Sequence, residues 1–284
     1  MKELELASGT IRTEKAAFVM GIVNCTPDSF FEKSRMNVSG ALQLIDEGAD
    51  ILDIGGESTR PGSSYVDCDE EIKRILPVIK EVRKHSKIPI SVDTRKFEVM
   101  KAAFDEGADI LNDVSALEDD FRLADFAAKT KIPVILMHKR GLPQNMQNHT
   151  EYKNAFNEVD SYLASRVRAA LDAGISENKI IIDPGIGFGK NLEANKILIS
   201  RCGELLGGKF PVLMALSRKS CIGEMTGRSV ENREAGTLTA NLLSVLKGAS
   251  LLRVHDVASC VDSLSVLKSF SDSSLCSEVK SWIL

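Results

Sequence analysis

Short apolar runs recur along the 284-residue chain, separated by longer stretches that carry helical periodicity. The runs are Val19–Val23, Ile51–Ile54, Ile90–Val92, Ile110–Leu111, Val134–Met137, Ile180–Ile182, Val212–Leu216 and Leu251–Val254. They are apolar on successive positions rather than alternate ones, so both faces of each strand must be covered. Val38–Glu47, Glu70–Lys84 and Tyr152–Ala173 are the clearest of the intervening helical stretches. The punctuation agrees. A glycine closes a helical stretch and opens an apolar run at Gly48, Gly107, Gly174 and Gly248, and Lys-x-Pro leads into the runs at Pro89, Pro133 and Pro211. Glycine past a helix end accepts the left-handed conformation, and proline suits the first residue of a strand.

Eight continuous apolar strands joined by helices predict a parallel sheet covered on both faces. With no composition break or linker, the pattern favours one α/β domain over residues 1–284, a closed (β/α)8 TIM barrel, rather than an open doubly wound sheet. Leu4–Thr13 reads as a short β-hairpin turning at Ser8-Gly9, expected to cap the N-terminal bottom of the barrel.

Composition narrows the function. Hydrophobic residues at 43% and charged residues at 27% suit a globular protein with a large core. A net charge of −4 excludes the basic face of a general nucleic-acid binder, so an anionic ligand must be met by locally placed cations and backbone N–H groups. The first 18 residues carry charges throughout, and no stretch approaches the roughly 20 apolar residues of a membrane span. The six cysteines are scattered with no C-x-x-C pair, which points to reduced thiols in the cytoplasm rather than to zinc or disulfides.

Polar groups fall at the ends of the runs: Asn24, Asp53, Asp93, Asn112, His138, Asp183, Ser217 and Arg253. In such a barrel the C-terminal strand ends carry the chemistry, because their loops vary without disturbing the packed interior. The mixture of carboxylates, amides and cations suits a polar heterocycle, and Arg218, Lys219, Arg253 and His255 supply a phosphate site where the last two strands commonly do. Asp183-Pro184-Gly185-Ile186-Gly187-Phe188-Gly189-Lys190 fails the spacing of both the dinucleotide and the Walker loops, which excludes NAD or ATP binding by those routes.

Taken in order, these segments resemble the dihydropteroate synthases over nearly the whole chain. The resemblance rests on Gly21–Phe30, Asp53–Gly62, Ser91–Thr94, Asn112–Ser115, Met137–Gly141, Asp183–Lys190, Ser217–Lys219 and Arg253–Val257. It implies condensation of p-aminobenzoate with 6-hydroxymethyl-7,8-dihydropterin diphosphate, releasing diphosphate. It further implies a pterin site of Asp93, Asn112, Met137, Asp183, Lys219 and Arg253. A diphosphate site would comprise Asn24, Arg60, Arg253 and His255, and a p-aminobenzoate pocket Phe30, Thr59, Pro61, Phe188 and Ser217. Catalysis would fall to Asp93, Lys219, Arg253 and His255. Asn24 would ligate Mg²⁺, and the protein would be a homodimer, with Arg233–Lys247 and Cys260–Lys268 as candidate interface helices. Three departures from the family pattern are Phe31-Glu32-Lys33-Ser34, which lacks the usual glycines, Ala215, where glycine is common, and Cys25 beside Asn24, where a β-branched or small residue is usual. A pterin-binding methyltransferase and a non-catalytic pterin-binding protein are the alternatives; the cationic ends of the last two strands favour the synthase.

Overall fold

A computed structural model of the chain describes residues 1–25, 32–58, 63, 65–141, 145–148 and 150–272. Two antiparallel strands come first, β1 (Lys2–Leu6) and β2 (Gly9–Thr13). Eight parallel strands follow: β3 (Phe18–Asn24), β4 (Ile51–Gly55), β5 (Ile90–Asp93), β6 (Ile110–Asp113), β7 (Val134–Met137), β8 (Ile180–Asp183), β9 (Leu213–Met214) and β10 (Leu251–Val254). Helices alternate with them: α1 (Glu32–Asp46), α2 (Cys68–His85), α3 (Phe97–Asp105), α4 (Arg122–Thr130), α5 (Ala155–Asp172), α6 (Leu192–Ser200), α7 (Ser220–Thr226), α8 (Glu234–Leu246) and α9 (Val257–Asp272).

The strands pair in the order β8-β7-β6-β5-β4-β3-β10-β9, and a parallel bridge between Ile182 and Val212 joins the two ends into a barrel. The expected (β/α)8 architecture is therefore present. One run is shorter than its sequence suggests: of Val212–Leu216, only Leu213–Met214 forms strand. The three prolines share one device. Leu52, Leu111 and Ile182 each donate their amide to the carbonyl of Pro89, Pro133 and Pro211 on the neighbouring segment, at 3.0 Å in every case. Proline lacks a donor but keeps its acceptor, so it can open a strand without weakening the ladder.

Helix α2 shows why these segments hold. Asp67 caps it by accepting from the amide of Glu70 at 2.9 Å, acidic residues fill its first turn, and Arg83, Lys84 and His85 fill its last. Both charge placements complement the helix dipole. Its buried face, including Ile75, Val78, Ile79 and Val82, packs in the apolar layer between sheet and helices.

A second, separate apolar cluster fills the lower barrel. Phe18, Met20, Ile51, Ile110, Ile135, Ile181, Leu213 and Leu251 point inward and meet Leu4 and Leu6 of the hairpin. The hairpin thus plugs the bottom as expected, and Lys179 Nζ ties it down by donating to the Leu6 carbonyl at 2.7 Å. Burying each of the two leucines stabilises the plug by about 1.5–3 kcal/mol.

Candidate active site

Side chains along a strand alternate between its faces, so the residue two positions beyond an inward one also points inward. Applied to the lower cluster, this rule generates most of the site: Ile51 leads to Asp53, Ile110 to Asn112, Ile135 to Met137, Ile181 to Asp183, and Leu251 to Arg253, and the buried polar Ser91 leads likewise to Asp93. Strand pairing aligns the set, with Asn24 opposite Gly55, Gly55 opposite Asp93, Asp93 opposite Asn112, and Met137 opposite Asp183. The polar ring therefore sits directly above the apolar plug.

Arg253 organises its centre. Its Nε donates to Asp53 at 2.6 Å and its Nη2 to Asp93 at 2.9 Å. Asn112 Nδ2 lies 3.2 and 3.3 Å from the two Asp53 oxygens. Asp53 is wholly buried and stands in the middle of β4, not at its end as the sequence pattern suggests. Its role, holding Arg253 and Asn112 in place, is not evident from the sequence. The available signal was a carboxylate inside an Ile-Leu-Asp-Ile run that must be buried on both faces.

The electrostatics follow from crowding. Burial pushes the Asp93 carboxyl up to about 7; Arg253 opposes that shift and the Asp53 charge adds to it. Among the described residues Asp93 Oδ1 is buried without a hydrogen-bond partner, an acceptor left over for a ligand. Asp183 is likewise raised by burial, against the pull of Lys219. Burial lowers Lys219 to about 8, with Asp183 opposing. Three carboxylates (Asp53, Asp93, Asp183) face two cations (Arg253, Lys219), so the cavity floor favours N–H donors over anions. An anion must bind higher, towards His255 and the exposed Asn24.

Ser217 and His255 are joined. Ser217 Oγ lies 2.9 Å from His255 Nδ1 and accepts from the His255 amide at 3.2 Å. Lys219 Nζ donates to the Ile186 carbonyl and lies 4.9 Å from the centre of the Phe188 ring, so the last three strand-end loops meet there. Met137, opposite Asp183 at the end of β7, is buried as well. Phe30, Thr59, Arg60 and Pro61 lie outside the described residues. His138, another polar group at the end of a run, turns away from the ring: its Nδ1 lies 2.8 Å from Lys190 Nζ, and its ring packs edge-on against Tyr162.

An eight-stranded barrel with a carboxylate-amide floor and cations at the last two strands defines an enzyme that binds a flat, donor-rich heterocycle. Residues 20–255 match the family described as pterin binding enzymes. A dihydropteroate synthase of Neisseria meningitidis serogroup B is 44% identical over 259 residues, covering 87% of this chain and 90% of the relative. The crystal structure of Xanthomonas albilineans dihydropteroate synthase with 4-aminobenzoic acid superposes with a TM-score of 0.88 at 43% identity, covering 95% of this chain and 98% of that one. The same organism's enzyme in complex with 7,8-dihydropteroate gives 0.86 at 40% identity, with 96% and 100% covered. The chain belongs to the dihydropteroate synthase family, and it is a transferase.

Proposed function

We propose that the chain joins p-aminobenzoate to 6-hydroxymethyl-7,8-dihydropterin diphosphate with the polar ring as its pterin site. Asp93, Asn112 and Asp183 accept from the pterin's amino and ring N–H groups, Lys219 donates to its acceptor edge, and Met137 covers its apolar side. Arg253 lies against the ring, its Nε and Nη2 already committed to Asp53 and Asp93, so its plane is fixed before substrate arrives. Asn24, Arg60, Arg253 and His255 hold the diphosphate, and Phe30, Thr59, Pro61, Phe188 and Ser217 form the p-aminobenzoate pocket.

The chemistry asks little of the protein in covalent terms. As the C–O bond to diphosphate breaks, the electron-rich pterin stabilises positive charge on its exocyclic methylene, and the neighbouring cations stabilise the departing anion. The aromatic amine then attacks the methylene and loses a proton. Asp93, Lys219, Arg253 and His255 act by orientation and charge. The family implies Mg²⁺. Asn24 is a single neutral amide at the exposed mouth, and among the described residues no group of three or more His, Cys, Asp or Glu could hold a metal. So sparse a donor set fits an ion carried in by the diphosphate oxygens, with Asn24 as its protein ligand, where it would neutralise leaving-group charge.

The carrying observation is the convergence of Asp93, Asn112, Asp183, Lys219 and Arg253 above one apolar plug. Diphosphate release that requires p-aminobenzoate, yields dihydropteroate and disappears in Asp183→Ala is the expected result. Tight pterin binding without release would instead favour a non-catalytic binder.

We further propose a homodimer and a cytoplasmic location. Leu243 on α8, at 50% exposed, with Val266 and Phe270 on α9 at 58% and 51%, supports an interface, which sedimentation velocity can test. Free, buried Cys25, Cys202, Cys221 and Cys260 support a reducing compartment, and no helix among the described residues is long and apolar enough to cross a membrane. Localising a tagged copy by cell fractionation tests the compartment.

A further inference from the structure

The turn between β8 and α6 combines two opposed properties. It carries Phe188 beside the site, yet Gly185, Gly187 and Gly189 all adopt left-handed conformations, with φ of +66°, +84° and +63°. Three such residues in five give the backbone little stiffness of its own. Something else must fix where Phe188 stands.

Lys190 is only 4% exposed, and its side chain runs beneath this turn. Its hydrogen-bond partners are all neutral: the Gly185 carbonyl at 2.8 Å, the Phe188 carbonyl at 3.1 Å and His138 Nδ1 at 2.8 Å, with the His138 carbonyl further off at 3.4 Å. The three close acceptors surround an amino nitrogen whose pKa burial draws well below the ordinary lysine range. Burial and the adjacent Lys190 hold His138 down to about 2, so its ring is neutral and Nδ1 can accept. The remaining groups of the turn are pinned from other directions. The Ile186 carbonyl accepts from Lys219, the Gly189 carbonyl from Tyr152 at 2.8 Å, and the Gly187 amide donates to Asn195 at 2.8 Å.

We propose that Lys190 is a positioning residue that fixes Phe188, and through it the recognition of p-aminobenzoate. It touches neither substrate. The inference rests on the assignment of Phe188 to the p-aminobenzoate pocket. Its specificity for that substrate follows from where the two sides of the site are anchored. Asp183 belongs to β8, paired with β7, and its carbonyl accepts from the His138 amide at 2.9 Å, so its backbone is set by the ladder, although its Oδ1 also accepts from the Gly185 amide at 2.6 Å where the turn begins. The backbone of Phe188 lies outside the ladder: its amide donates to the Gly185 carbonyl at 3.1 Å and its carbonyl accepts from Lys190.

The test compares KM for p-aminobenzoate with pterin diphosphate affinity, the latter by calorimetric titration, in the wild type, Lys190→Met, Phe188→Ala and the double variant. Lys190→Met should raise KM for p-aminobenzoate on the order of tenfold or more. Pterin diphosphate affinity should hold within about twofold. In the Phe188→Ala background, Lys190→Met should add little, because its effect is transmitted by that ring. Equal losses for both substrates, or additive losses in the double variant, would overturn the proposal. If Lys190→Met does not fold, Lys190→Gln, which keeps two donors for the two carbonyls, supports the same comparison. Phe188→Ala with an unchanged KM would remove the premise, and a wild type that makes no dihydropteroate would fail the proposed reaction itself.

Discussion

Asp53→Asn preserves the shape of a wholly buried side chain while deleting its charge, and its main effect should appear on a different residue. Asp53 and Asp93 bind the same guanidinium, at 2.6 and 2.9 Å. Two carboxylates held that way lie about 5 Å apart, and at an effective dielectric of about 20 they repel by about 3 kcal/mol. That bounds the effect on Asp93 at about 2 pH units. Asp93 stands at about 7 in the intact site, with the Asp53 charge among the causes that raise it. The pH dependence of kcat/KM for pterin diphosphate reports the free enzyme's ionisations, so its acid limb should fall near 7 in the wild type and about 1–2 units lower in the variant.

Stability has its own signature. A carboxylate raised by folding binds more protons in the native state between its unfolded value and about 7. Its contribution is therefore complete below the unfolded value and is lost as pH rises through about 7. Denaturation midpoints of the wild type should fall across that window, and those of Asp53→Asn should fall less steeply. The variant should also lose about 1.5–3 kcal/mol overall, the worth of a hydrogen bond to a charged group. An acid limb that stays in place or moves upward would refute the shared-guanidinium account.

Other outcomes follow from packing. Gly185→Ala would put a Cβ 1.8 Å from the His138 carbonyl oxygen, at a position whose φ is +66°. Backbone blocks it, so thermal melting should show a loss of at least about 3 kcal/mol, with the β7–β8 pairing disturbed; a wild-type midpoint would contradict the packing. Cys25, 2% exposed and pushed up to about 12 by burial, should resist alkylation at pH 8 in the native state and react on unfolding. Rapid native labelling would mean that the end of β3 opens.

Most of the barrel was legible because its strands are buried on both faces. That makes Ile51–Ile54 or Val134–Met137 a continuous apolar run, and prolines and glycines fall where ladder and helix end permit them. The short β9 was not legible, since hydrophobicity marks burial rather than ladder hydrogen bonds, and Val212–Leu216 is apolar beyond the two residues that pair. Within the site, Asp93, Asn112 and Asp183 could be named from their place after apolar runs, and Arg253 as a lone charge inside one. Asp53 and Lys190 could not be assigned work: Asp53 acts on the sequence-distant Arg253, and Lys190 folds back on the Gly185 and Phe188 carbonyls, which only the path of the turn brings within its reach. A polar residue whose partner lies on another strand looks, in one dimension, like an accident of composition.

The closure of the barrel has a mechanical consequence. Neighbouring strands elsewhere are laced by two to five register pairs, whereas β8 and the segment entering β9 meet at the single bridge Ile182–Val212. The molecule is in effect a split ring, and compliance in a split ring concentrates at the gap. The loops that follow the two sides of this gap carry Phe188 on one side and Ser217 and Lys219 on the other. Small openings there would widen or narrow the mouth while the hairpin plug and the Asp53–Arg253–Asp93 floor keep their spacing. Amide exchange should accordingly be fastest, among the strands, along that one seam.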